Sequence, residues 1–408
     1  MTRPPGRPRG AQRLLPVEER PRARLIFAIT ATGITGNAVI TPSLPEILAG
    51  VGAAPGQAGL VIGATTLPGI FLAPVIGLLA DRYGRREVVV PCLVLFAVAG
   101  GMAATSPSLA WLLGWRLLQG AGAAGLVNLA VVLVGDLWEG PRRAAMIGRN
   151  SAVLTTCLAL GPLLGGGLTD LAGWRAPFLV YPVGLVTAAL VARHLPRSQP
   201  RDVDVGQQLR DLPPALREPG VARALAAGAV TFAVIFGLML TVLPLHLERV
   251  FGLGPTARGL LLGAPAIANT AVALATGRLQ RFAKRALLAA AAVVMAAGLA
   301  LIGAAPTLPV LVAAVLCFGA GEGLMVPNLQ DIAASSRQRS RGAIVALFVS
   351  ASRVGQTAGP LAAGAGMAVV GTAATFGAAA VACLALLLPL ALVGRRGGTP
   401  LPPAGVAR

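Results

Sequence analysis

Three ionisable side chains, Arg116, Glu322 and Arg353, each stand inside a run of apolar residues long enough to cross a bilayer. A charge in hydrocarbon is costly, so such a residue faces a cavity, a partner or a transported solute. Glu322 lies between Gly321 and Gly323, near the middle of its run. A carboxylate held away from water can take up and release a proton, which is the chemistry of a proton or cation site. Arg353 falls at similar depth in the next run, and a neutralising pair with Glu322 is expected. That pair has two readings: a coupling site with Glu322 as the proton carrier, or a purely structural ion pair. Arg116 sits about 8 residues, ~12 Å, below the outer end of its run. It either turns inward or snorkels to the interface. The remaining polar groups at comparable depth are Asn37, Gln119, Asn128 and Asn328.

The composition shows what must hold these side chains. The chain has 408 residues, 55% hydrophobic and 12% charged, with a mean hydropathy of +0.76. A soluble domain carries about 25% charged residues. Half that leaves too little polar surface for water, and a bilayer resolves the deficit because apolar side chains can face lipid. At ~1.5 Å rise per residue, about 20 apolar residues cross ~30 Å of hydrocarbon. Twelve such runs are predicted, the last two over 342–366 and 370–393. The expected fold class is an all-α membrane protein with twelve transmembrane helices in two pseudo-symmetric six-helix bundles. The bundles are placed at 25–193 and 221–393. A basic, disordered arm over 1–24, a linker over 194–220 and a tail over 394–408 complete the chain. The first run is too long for a signal-peptide core and is read as a retained span.

The net charge of +19 follows from topology. Of the 34 Lys and Arg, 29 fall in the arm, in the tail, or beside the connections that follow even-numbered spans. The opposite side holds Arg175, Arg249 and Arg258. This asymmetry puts both termini in the cytoplasm of a cell (inner) membrane, and it explains the basic balance without a nucleic-acid partner. Cytoplasmic arginines are also placed to meet anionic lipid. Four cysteines, Cys92, Cys157, Cys317 and Cys383, lie in apolar runs without metal-binding or disulfide spacing. The two histidines, His194 and His246, sit near span ends with no zinc or Ser–His constellation beside them. Neither an enzyme nor a bound cofactor or metal is expected.

Short patterns recur about 200 residues apart. Gly-Ala-Gly at 120–122 returns at 319–321, Asn128 as Asn328, Gly161-Pro162 as Gly359-Pro360, and Gly77 as Gly277. A six-helix unit has therefore been duplicated.

The sharpest local pattern is Gly77, Asp81, Arg82, Gly84, Arg85 and Arg86, written G-x-x-x-D-R-x-G-R-R. It resembles the loop signature of the major facilitator superfamily between helices 2 and 3. A second pattern, Arg116, Gln119, Gly120 and Gly122, is similar to the family's helix-4 motif. A third, Gly161, Pro162, Gly165 and Gly166 as G-P-x-x-G-G, resembles the helix-5 antiporter motif of the drug:proton efflux branch, with Cys157 at the motif's upstream glycine position. Gly173, Trp174, Arg175 and Phe178 also resemble efflux members. The resemblance implies that Asp81 latches the halves by meeting the start of helix 11. It implies a role for Arg116 in proton transfer or substrate contact, and a seam at helix 5 that governs sealing of one side. Helices 1, 4, 7 and 10 would line the cavity, so Asn37, Arg116, Asn128, Glu322 and Asn328 would meet substrate. Helix 1 departs from many proton-coupled exporters, because its one acid, Glu46, stands at the outer end.

These readings imply export of small, partly apolar compounds by alternating access, coupled to a proton or other cation, in a monomer. Apart from these few polar groups the spans are apolar and poor in aromatics, which suits a lipophilic solute better than a sugar, whose hydroxyls would require many hydrogen-bond partners. Uptake, transport of one metabolite or siderophore, and a non-transporting receptor are the alternatives.

Overall fold

The computed structural model describes residues 23–196, 219–279, 284–334 and 341–392. Most of the expected arm, linker and tail lies outside the described residues. Those described are helical, without strands. Ten spans follow in order: α1 Ala23–Gly50, α2 Pro55–Tyr83, α3 Arg85–Thr105, α4 Leu109–Leu137, α5 Gly140–Ala172, α6 Ala176–His194, α7 Gly220–Phe251, α8 Pro255–Ala275, α9 Ala286–Ala304 and α10 Leu308–Ile332. The last helical run, Arg341–Leu392, has 52 residues. As one straight helix it would reach ~78 Å, more than twice the hydrocarbon thickness. Gly371 divides it, with φ 79° and ψ 172°, a left-handed conformation that glycine adopts without Cβ strain. The run is thus two spans, α11 over 341–370 and α12 over 372–392, and the described residues hold twelve. Gly84 performs the matching task between α2 and α3 at φ 104°.

Large apolar side chains point outward, among them Leu171 at 85% exposure and Val369 at 84%. In water this surface would be unstable; in lipid it is the expected exterior. α5 begins at Gly140 and runs 33 residues without interruption through Pro162, longer than the apolar run alone suggests.

Glycine contacts show how the duplication was built. A Cβ on Gly120 would lie 2.3 Å from the Thr65 carbonyl oxygen; on Gly319 it would lie 2.4 Å from that of Pro265. A Cβ on Gly259 would meet the Pro162 oxygen at 2.3 Å, and one on Gly59 the Pro360 oxygen at 2.0 Å. Both partners in each contact are displaced by about 200 residues. The repeated Gly-Pro pair therefore has one task in both halves. Its glycine faces the first helix of its own half, and its proline carbonyl touches the second helix of the other. Small residues suit this work, because helix association in lipid depends on close backbone packing. The halves meet along two seams, α2 against α11 and α5 against α8.

Candidate functional site

Arg116 is fully buried, with 0% exposure. It turns inward, so the snorkelling alternative does not hold. Nη1 donates to the Gly36 carbonyl at 2.8 Å and to Gln119 Oε1 at 2.7 Å. Nη2 donates to Asn37 Oδ1 and, at 3.3 Å, to Thr65 Oγ1. Nε reaches the Val61 carbonyl at 3.4 Å. The Tyr181 hydroxyl donates to the same Gly36 carbonyl at 2.8 Å. One guanidinium thereby ties α4 to α1 and α2, with α6 joined through Tyr181. Gln119 falls three residues after Arg116, on the same helical face. No carboxylate of a described residue pairs with this cation. Arg116, Asn37 and Gln119 thus form one neutral-partnered network inside the first bundle.

Glu322 is half-buried on α10. Asn269 of α8 is the hydrogen-bonding group set against it, and the two helices touch closely there: a Cβ on Gly323 would lie 2.6 Å from the Asn269 carbonyl oxygen. The expected pair with Arg353 is not formed. Arg353 lies against α2, its Cδ 3.3 Å from the Cβ position of Gly69, and Nη1 donates to Gln356 at 3.3 Å. Residue count gave both side chains one depth, but the two helices turn them to different neighbours. Asn328 is buried and donates to the Leu324 carbonyl of its own helix at 2.6 Å. Asn128 is half-buried just beyond the interruption of α4 between Ala123 and Leu126.

The loop residues engage their own half. Asp81 pairs with Arg85 at 2.5 Å, and Arg85 Nε reaches Asp136 at 3.2 Å. Arg86 donates to the Leu195 carbonyl at 3.3 Å. Arg82 stands over the Tyr83 ring. Where the resemblance implies a latch from Asp81 to the start of α11, this conformation has an intrahelical-spaced pair with Arg85 instead. A Cβ on Gly77 would meet nothing within 4 Å, while Ile76 and Ala80 on either side of it are buried. Toward the same side of the molecule a cleft of about 450 Å³ borders α5 and α8, lined by Thr155, Thr156, Ala159, Ala266 and Thr270 among others, and a Cβ on Gly263 at its edge would lie 2.1 Å from the Ala159 carbonyl oxygen.

The helix-5 glycines sit at the opposite end, where the seams are shut. A Cβ on Gly165 would lie 1.6 Å from the Val39 oxygen of α1, and on Gly166 2.2 Å from the Pro255 oxygen of α8. Gly161 is looser, 3.2 Å from the Ala38 methyl. Two polar contacts that no sequence pattern indicated join the halves here. Glu46 of α1 pairs with Arg258 of α8. Asp170 of α5 accepts from the backbone N of Thr256 at 3.0 Å and from its hydroxyl. The signals were slight: Glu46 is the lone acid of α1, and Arg258 one of three basic residues on that side.

Twelve spans among the described residues, in two duplicated halves with polar groups along the interior and close-packed seams between the halves, define a membrane transporter fold. The chain belongs to the Major Facilitator Superfamily, whose family model matches residues 26–336 and 225–407. It is 39% identical over 199 residues to the cephamycin export protein CmcT of Amycolatopsis lactamdurans, covering 47% of this chain and 40% of that one. It is 31% identical over 172 residues to the multidrug transporter protein MdtP of Bacillus subtilis (strain 168), covering 42% of this chain and 31% of that one. These matches thus span less than half the length of either relative. Among solved structures, an inward-facing, unoccupied bacterial homolog of the human lysosomal transporter Spinster superimposes with a TM-score of 0.71 at 18% identity, over 90% of this chain and 94% of that one. At that identity the likeness concerns the fold.

Proposed function

We propose that this protein exports small, partly apolar compounds across the cell (inner) membrane by alternating access, in exchange for protons, as a monomer. The observation that carries this reading is the pairing of a shut end with an open one. The α5–α8 seam is packed backbone to backbone from Gly166 and Gly259 to Gly263 against Ala159, and beyond that level a cleft lies between Thr155 and Thr270. With both termini and the 81–86 loop in the cytoplasm, this conformation faces inward, the state that loads an exported solute. The names of the two partial relatives, an export protein and a multidrug transporter, support the outward direction. Glu322 is the proposed proton carrier. It has no cationic partner among the described residues, so protonation does not leave a buried arginine unpaired. Asn269 can accept from or donate to its carboxyl in either protonation state. Asn37, Arg116, Gln119, Asn128, Asn328 and Arg353 are proposed to shape the path, with Asp81 and its loop re-forming a latch to α11 when the cytoplasmic side shuts.

Proteoliposomes loaded with a pH dye test this reading. Adding compounds from a chemically diverse panel should drive proton flux for amphipathic members and not for sugars. Glu322→Gln is expected to abolish that flux while leaving folding intact. Undiminished coupled flux in the variant would remove Glu322 from the mechanism.

A further inference from the structure

The duplication supplies an internal comparison that singles out one seam. Asp170 and Thr256 on the α5–α8 seam correspond, about 200 residues away, to Ala368 and Gly56 on the α11–α2 seam. Those two are also in contact: a Cβ on Gly56 would lie 2.8 Å from the Ala368 methyl. Glu46 corresponds to His246, which faces Thr372 of α12 at 2.9 Å and not the other half. Arg258 corresponds to Ala58. The same backbone approach is therefore made twice, once with charges and once with glycine and alanine. Packing alone does not require the charges, since the α2–α11 seam closes without them.

We propose that Glu46–Arg258 and Asp170–Thr256 form a releasable latch, so that the outer face opens along α5–α8 while α2–α11 serves as the hinge. This rests on the alternating-access reading above. A polar contact is suited to release because each partner finds a substitute in water. The Glu46 side chain is already 32% exposed, though its Oε2 is buried without a partner. Arg258 is 1% exposed, with Nε and Nη1 lacking partners, so opening would also admit water to two unsatisfied donors. Close small-residue packing has no such replacement in lipid.

Spin-label distances in lipid nanodiscs, without any solute, test the latch separately from export. Labels at Leu171 and Leu260 report α5–α8; labels at Leu60 and Val369 report α2–α11. All four positions are exposed. Glu46→Gln should raise the long-distance population of the first pair about tenfold, the scale of a broken part-buried ion pair, and leave the second nearly unchanged. Asp170→Asn should act in the same direction. The charge exchange Glu46→Arg with Arg258→Glu should restore the short distance. An unchanged first distance in both single variants, or equal lengthening at both seams, would overturn the proposal. Absence of export in the parent protein would leave these distances as informative as before.

Discussion

Gly165→Ala is expected to abolish recovery of folded protein, while Gly148→Ala in the same helix is expected to be neutral or mildly stabilising. A methyl at Gly165 would stand 1.6 Å from the Val39 carbonyl oxygen. The obstacle is backbone, so no rotamer change relieves it, and α1 must separate from α5. Ser43 and Thr169, which join the same two helices, would be pulled apart with them. Overpacking a core costs about 1–3 kcal/mol when side chains can yield, and more when they cannot; more than about 3 kcal/mol is expected here. At Gly148 a methyl meets nothing within 4 Å, and alanine gains about 1 kcal/mol in helix propensity. The helix-5 motif also acquires an internal order: Gly165 most severe, Gly166 next at 2.2 Å from a carbonyl, Gly161 mildest at 3.2 Å from a methyl. Thermal unfolding followed by size-exclusion recovery would rank the three alanine variants. Equal tolerance at Gly165 and Gly161 would contradict the packing account.

The sequence pattern could mark these glycines but not rank them, because spacing gives a residue's place along its own helix and nothing of what faces it. The same distinction separates what was legible from what was not. Helix number followed from apolar run length, and the described residues hold twelve spans, including two that continue into each other at Gly371. The duplication followed from offsets, and the Thr65–Gly120 and Pro265–Gly319 contacts carry it into three dimensions. Depth was read well enough to suggest that Arg353 and Glu322 could meet. Azimuth was not: α11 turns Arg353 to Gly69, and α10 turns Glu322 to Asn269. The polar joints of the outer face were illegible for a further reason. Glu46 and Arg258 are 212 residues apart and belong to different halves, so no local motif contains both.

Arg116 and Gln119 give the second large effect, and the informative variant is the double one. Arg116→Leu removes a buried cation that has no carboxylate partner among the described residues, which relieves a desolvation cost. It also strips Gln119 Oε1 of its donor, while Gln119 Nε2 already lacks a partner. A buried amide left without hydrogen bonds costs about 1–3 kcal/mol. The losses elsewhere are smaller, because the Gly36 carbonyl keeps the Tyr181 hydroxyl and Asn37 Oδ1 keeps the Thr65 hydroxyl. The single variant is therefore expected to unfold at lower temperature than the parent. Adding Gln119→Leu removes the orphaned amide, so the double variant should recover stability relative to Arg116→Leu, a coupling opposite in sign to simple addition. Transport should be lost in both, since neither offers a guanidinium between α1, α2 and α4. Thermal stability and proteoliposome flux, measured on all four members of the cycle, separate the two roles. Restored transport in the double variant would reduce Arg116 to a packing element. Additive destabilisation would mean that Gln119 is held by something other than Arg116.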